Sequence, residues 1–248
     1  MYLKKFDVVN ITRNSKVKST SLTATEDAIT LFVNDAKLAS IMATPDMLRE
    51  LAVGYLVCEG VVGDPSDILD VRLGENLNVY ASIKANDRLE LWHELHSSGC
   101  IGVGWESYDD VHVISDAKFT VNSIVDSLVN LNSDIYDKTR GVHSASLIGQ
   151  DGNLVAKAID VGRHNAVDKV IGGAILNGID LHNVFLLSTG RQSAGMVLKA
   201  ARIGIPMIVS KTAPIASGIE AAQRVGITLV CFAHEGGLSV YSHPERVV

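Results

Sequence analysis

A chain of 248 residues can build one large core or two modest domains, and 47% hydrophobic with 20% charged residues is the make-up of an ordinary globular protein. The net charge of −6 leaves no basic stripe to neutralise a phosphate backbone, which argues against a general nucleic-acid binder. Met1 to Asn10 lacks the apolar run of a secretory signal, and no segment approaches the ~20 apolar residues of a membrane span. Three cysteines with no close pair (Cys58, Cys100, Cys231) rule against a disulfide framework, so a reduced, cytoplasmic protein with no membrane segment is expected.

In chain order, residues 1 to about 25 are polar and read as an edge strand or a loose arm. Ile29, Leu31 and Val33 alternate, Asn34-Asp35 turns, and Leu38 and Ile41 resume, which predicts a hairpin. Thr44-Pro45 then predicts a helix with Thr44 as N-cap, Pro45 in its first position and Gly60 at its end. Its apolar face runs through Leu48, Leu51, Ala52, Tyr55 and Leu56. Short alternating segments follow at 68–73, 77–83 and 89–92, making residues 1–110 a small α+β unit. From residue 111 the pattern changes. A helix over 121–131 leads to strands at 144–148 and 154–159, a helix over 166–176 and a strand at 184–187. A helix at 193–202, a strand at 206–210, a helix at 215–225 and a strand at 228–232 complete the alternation. Such alternation predicts a layered α/β domain over 111–248, with helices on the faces of a sheet.

Polar islands interrupt this second pattern at predicted strand ends and junctions. They are Thr139 to His143, Asp160 to Lys169, Ser188 to Ser193, Ser210 to Pro214 and His234 to Gly237. The richest, Asp160-Val161-Gly162-Arg163-His164-Asn165-Ala166-Val167-Asp168-Lys169, packs two acids, two bases, a histidine and an asparagine around one glycine. Open α/β sheets bind ligands at the carboxyl ends of their strands, which is where these islands fall. Three islands set arginine beside glycine: Arg140-Gly141, Gly162-Arg163 and Gly190-Arg191. A guanidinium beside a permissive backbone near a helix start is suited to phosphate, so an anionic, phosphorylated ligand is expected. Scattered surface arginines and a salt-bridged helix start are the bland alternatives.

Cys100 lies in Ser97-Ser98-Gly99-Cys100-Ile101-Gly102-Val103-Gly104, whose glycines predict an exposed, mobile loop and an accessible thiol. Cys58 and Cys231 fall inside a predicted helix and strand and read as inert core thiols. His93, His96 and Cys100 have a spacing that could meet a metal. Residues three apart on the predicted strand face opposite sides, so no zinc site is assigned.

The motifs, taken together, resemble the formate dehydrogenase accessory sulfurtransferases, the FdhD family. The likeness runs through Met42-Ala43-Thr44-Pro45, Glu50-Leu51-Ala52-Val53-Gly54-Tyr55-Leu56 and Glu59-Gly60 to Gly141-Val142-His143. It continues with Asp160 to Lys169, Ser188 with Gly190-Arg191, Ala200-Ala201-Arg202, Gly204-Ile205-Pro206, Ala213-Pro214 and Gly226 to Tyr241. The resemblance implies a cytidine-deaminase-like α/β C-terminal domain, a small N-terminal domain and a homodimer. It implies a sulfur carrier that takes persulfide sulfur from a cysteine desulfurase. That sulfur passes to the molybdenum or tungsten of a bis-pterin guanine dinucleotide cofactor, required for formate dehydrogenase activity. Cys100 would carry the sulfur. Arg140, His143, Arg163, Lys169 and Arg191 would neutralise phosphates, with His164 also in the pocket. The loop Phe232, Ala233, His234, Glu235, Gly236 and Gly237 would contact the guanine dinucleotide, which a guanine nucleotide such as GDP could mimic. Asp160, Asn165 and Asp168 would orient these groups. Many members carry a second thiol three residues after the first; here Val103 stands at that position. A non-catalytic molybdenum-cofactor chaperone is the alternative. A nucleotide deaminase is disfavoured because the zinc signature H-x-E with P-C-x-x-C is absent.

Overall fold

The structure, a computed structural model, describes residues 3–84 and 111–248. The expectations placed on His93, His96, Cys100 and the segment 89–92 fall outside those residues, as does the proposed boundary at 110/111.

Among the described residues β1 (Leu3–Ile11) and β2 (Lys16–Ala24) pair only with each other, as an antiparallel ribbon. Next comes a four-stranded sheet in the order β4–β3–β6–β5, from β3 (Asp27–Val33), β4 (Ala36–Ala43), β5 (Ile68–Leu73) and β6 (Asn78–Ile83). Ile29, Leu31 and Val33 turn inward together because side chains two apart share a face. Asn34 and Asp35, both at positive φ, make the tight turn into β4. Helix α1 (Leu48–Cys58) covers this sheet, burying Leu51, Ala52, Val53 and Leu56 against Val71, Val79, Ala81 and Ile83.

α1 does not begin where local rules put it. Met47 precedes it in the left-handed region, and the helix opens at Leu48. Thr44 is drawn instead into contact with residues more than a hundred positions away. Its N–H donates to Asp160 Oδ2 at 3.0 Å, and its Oγ1 accepts from the Val161 N–H at 3.2 Å. Tertiary hydrogen bonds have overruled a cap of about 1 kcal/mol.

The C-terminal unit is a six-stranded sheet in the order β12–β11–β10–β9–β7–β8. Its strands are β7 (His143–Gly149), β8 (Leu154–Asp160), β9 (Val184–Ser188), β10 (Met207–Ser210), β11 (Thr228–His234) and β12 (Gly237–Ser242). β9, β10 and β11 run parallel; β7, β8 and β12 pair antiparallel. On one face Leu147, Leu186, Ile208 and Leu229 meet helices α4 (Arg163–Leu176), α5 (Ala194–Ala201) and α6 (Ala216–Val225). On the other, Ile148, Phe185, Leu187, Met207, Val209 and Val230 meet Phe119, Ile124, Leu128 and Leu131, the last three from α2 (Val121–Ser127) and the 3₁₀ turn after it. Both faces are covered, which is why the central strands read as unbroken apolar runs. α3 (Asp134–Thr139) and β12 went unpredicted.

The two units meet along α1 and α4, which cross backbone to backbone. A Cβ on Gly54 would lie 1.8 Å from the Asp168 carbonyl oxygen, and one on Gly172 would lie 1.9 Å from that of Glu50. Only glycine permits this approach.

Candidate functional site at the strand ends

Strand register brings the polar islands to one edge of the large sheet. Ser188 pairs with both Ser210 and Ala145, and His143 pairs with Asp160. The loops leaving β8, β9, β10 and β11 therefore emerge beside the start of β7. Between them and α3 lies a cleft of about 700 Å³ lined by Tyr136, Asp137, Arg140, His143, Thr189 and Lys211, among others. A second lobe of about 980 Å³ adjoins it through Asn132 and Lys211, which line both. That lobe is walled by Val125, Leu128 and Val129, with Asp126, His234, Glu235 and Gly236.

Each wall has a local cause. Ser133 caps α3 by accepting from the N–H groups of Ile135 and Tyr136, and Arg140 ends the helix at φ 54. The Arg140 guanidinium sits over the Tyr136 ring, 4.9 Å from its centroid, which fixes a cation on the lip of the cleft. His143 shares a hydrogen bond of 3.1 Å with Thr189 Oγ1. Burial and the Arg163 charge hold His143 below its ordinary pKa, against the pull of Asp160, so the imidazole is neutral at pH 7. The 188–192 turn is knitted by Gly190 N–H to Ser188 Oγ, and by Ser210 Oγ–H and Gln192 Nε2–H to Gly190 O.

The 160–169 motif divides its side chains, because α4 begins at Arg163, three residues earlier than the apolar spacing predicts. Consecutive residues in a helix lie about 100° apart and cannot share a target. Arg163 packs along Gly190, where a Cβ would lie 2.9 Å from Arg163 Cβ. Its buried Nε has no hydrogen-bond partner among the described residues. His164 turns the other way, its Cε1 3.5 Å from where a Cβ on Gly195 would sit. Burial, then Lys199 and Arg163, push its pKa down to about 4. His164 is therefore not in the cleft, contrary to expectation.

Lys169 needs a second correction. It is fully buried, and its ammonium donates to Thr44 O at 2.8 Å and meets Asp46 Oδ1 and Asp160 Oδ2, each at 2.7 Å. With three acceptors filled, it neutralises carboxylates at the seam and is not a phosphate ligand. Asp160 also accepts from Gly162 N–H and Asn165 Nδ2, which holds the turn ahead of Arg163. Asp168 turns to Lys199, at 2.8 and 3.0 Å, and Lys199 also pairs with Glu59 of the N-terminal unit. Burial would lower Lys199, but those two carboxylates outweigh it and raise its pKa. Cys58 is sealed beside them, its thiol pushed well up by burial, and Cys231 is likewise a core thiol, pushed up to about 12. Both are inert, as expected.

In the last loop Ala233 is buried in the core and unavailable to a ligand. Phe232 is 46% exposed with φ 52, a left-handed conformation a bulky residue rarely holds. Gly237 is the turn residue into β12, and Arg191 is exposed. Lys211, Thr189 and Tyr136 were missed as individual contacts, although Lys211 and Thr189 sat in flagged islands. Tyr136 had no signal, since α3 was itself unrecognised.

Residues 24–248 match the FdhD/NarQ family. The chain belongs to that family. It is 35% identical over 221 residues to the sulfur carrier protein FdhD of Methanothermobacter thermautotrophicus, with 87% of each chain covered. It is 36% identical over 232 residues to the sulfur carrier protein FdhD of Wolinella succinogenes, covering 90% of this chain and 81% of that one. The fold is similar, with a TM-score of 0.88 and 27% identity over the whole of both chains, to a crystal structure assigned as a formate dehydrogenase accessory protein from Desulfotalea psychrophila. Among the described residues, no helix is long and apolar enough to cross a membrane.

Proposed function

We propose that this chain is a sulfur carrier serving a formate dehydrogenase, with the two-lobed strand-end cleft as the seat of its client cofactor. The observation that carries the reading is the division of chemistry between the lobes. The first sets Arg140 and Lys211 beside a neutral His143, with Asp137 the one carboxylate of its lining, a cationic donor set suited to a diphosphate. The second joins an apolar floor to the carboxylates of Asp126 and Glu235. A carboxylate beside an apolar slot accepts from the N–H groups along one edge of a guanine and repels phosphate. The exposed Phe232 ring adds a stacking surface near that loop. A molybdenum or tungsten bis-pterin guanine dinucleotide has both parts and is cargo here, not a resident group. The cytidine-deaminase-like classification of the sandwich belongs to the same reading, as do a homodimer and a cysteine desulfurase as donor.

In this scheme the Cys100 thiolate attacks the outer sulfur of the donor's persulfide. A new S–S bond forms at Cys100 as the donor's S–S bond breaks, and the donor cysteine leaves as thiolate. No net oxidation occurs. Release of the carried sulfur as sulfide takes two electrons from a thiol reductant.

Mass spectrometry after incubation with a cysteine desulfurase and cysteine tests the proposal. One added, cyanide-labile sulfur is expected on the Cys100 peptide, and Cys100→Ala should lose it while still binding GDP. Absence of that sulfur, or full formate dehydrogenase maturation by Cys100→Ala, would overturn the carrier role and leave a cofactor chaperone.

A further inference from the structure

Strand β5 leaves one edge of the four-stranded sheet open. Among the described residues its strand neighbour is β6 alone, so its outer row of main-chain groups faces away from the sheet. The opposite edge, β4, differs: near its end the Met42 carbonyl already accepts from Asn165 Nδ2. β5 also carries apolar side chains that its own core does not use. Val71 is buried in the cluster under α1, while Leu69 and Leu73 to either side of it stay 61% and 54% exposed. The pairing with β6 shifts register between Ile68 and Asp70, which leaves Leu69 with no cross-strand partner in that ladder.

Position and charge indicate what this edge receives. β5 runs antiparallel to β6, so its first residues lie beside the last ones of β6. Ile68 pairs with Ile83, and Lys84 closes that end through its ion pair with Asp67. From Lys84 the chain runs on towards Cys100, the thiol assigned above to carry sulfur. The edge therefore flanks the root of the segment that must meet a sulfur donor. Residues 64–75 hold Asp64, Asp67, Asp70 and Glu75 against Arg72 alone, a net charge of −3. Asp64, Asp70 and Glu75 are exposed, and Arg72 is drawn over the Tyr80 ring. An apolar, acidic sheet edge is a template for an extended segment that is apolar and basic.

We propose that β5 is the docking edge for the protein that delivers the persulfide, which adds a basic, apolar segment beside β5 as a fifth strand of this sheet. The proposal rests on the sulfur-carrier reading and names where its donor binds. A strip of six residues makes a small contact, in the range of weak and transient complexes. Such a contact suits a carrier that must take one sulfur atom and leave. Opposite charge across it speeds encounter more than it tightens the complex. No residue of β5 lines either lobe of the cleft, so a docked donor leaves the cleft open to its cargo.

The test is biolayer interferometry of the full chain against a purified cysteine desulfurase, paired with mass spectrometry of sulfur loading. The native chain should bind, more weakly as salt rises. The double variant Asp70→Lys, Glu75→Lys and, separately, Leu69→Ser, Leu73→Ser should each weaken that binding roughly tenfold and slow loading by the desulfurase in step. Both should keep the native circular dichroism spectrum and GDP affinity, and should take sulfur from a small donor, cysteine persulfide, at the native rate. Native desulfurase affinity in both variants would overturn the assignment. A variant that by itself sediments differently from the native chain would overturn it in favour of a second copy at this edge. A native chain that cysteine persulfide loads but no desulfurase binds would refute the docking edge alone. One that neither donor loads would refute the sulfur-carrier reading and this proposal with it.

Discussion

The seam between the two units and the open edge of the large sheet draw on the same ten residues, 160–169, yet treat charge in opposite ways. At the seam two buried ammoniums are answered: Lys169 by Asp46 and Asp160, Lys199 by Asp168 and Glu59. At the edge, Arg140 and Lys211 stand exposed, and Arg163 holds a buried N–H with no partner among the described residues. Composition does not separate the two regions; the direction of each side chain around α4 does. Buried, mutually satisfied ions fix one arrangement of two units, while exposed cations that form no ion pair among the described residues are available to bind.

Breaking the seam should give the largest effect. Lys169→Met strands the buried Asp160 and the half-buried Asp46 without a cation, and a loss of about 3–5 kcal/mol in unfolding free energy is expected by urea titration. A loss under about 1 kcal/mol would mean that Lys169 is exposed in solution and free for a ligand after all.

Next is the pH response of His164. Its folded pKa of about 4 lies below its ordinary 6.5, so the unfolded chain binds a proton that the folded chain refuses. Its share of stability is complete above pH 6.5 and is lost as pH falls towards 4, an effect on the order of 2 kcal/mol. Asp168, raised to about 6 by burial, works in the opposite sense below pH 6. The informative quantity is therefore the difference between native and His164→Gln midpoints at pH 7 and pH 4.5. The variant should lose less on acidification, and equal losses would mean that burial does not hold the His164 imidazole neutral.

At the edge the consequences fall on binding. Arg140→Ala and Lys211→Ala should each weaken GDP binding by roughly tenfold, about 1.4 kcal/mol, with the unfolding midpoint unchanged. Unaltered affinity in both would show that the phosphates lie elsewhere. The smallest effect is expected at Lys84→Ala. Its ion pair with Asp67 is open to solvent, and the melting curve should superimpose on that of the native chain.

Much of this was legible in the sequence. Strands β3, β7, β8, β9, β10 and β11 follow from period-2 alternation or apolar runs, and helices α4, α5 and α6 from apolar spacing. The convergence of islands on one sheet edge followed from their positions after strands. β12 escaped because Gly237 to Ser242 is only partly buried and carries a weak pattern. The six-residue helix α3 has no buried residue to betray its period. Asp160 to Lys169 announced a polar cluster, but nothing local could say that Thr44 and Asp46 would take up its lysine.

The chain's own order of residues thus dictated which segments are strands and helices, and which strand ends bear polar groups, because spacing and turn chemistry act over a few residues. Which cation is sealed and which is free was decided by packing alone. Two of the partners of Lys169, Thr44 and Asp46, lie about 120 residues away in sequence, and only the glycine-permitted crossing of α1 over α4 brings them within 3 Å.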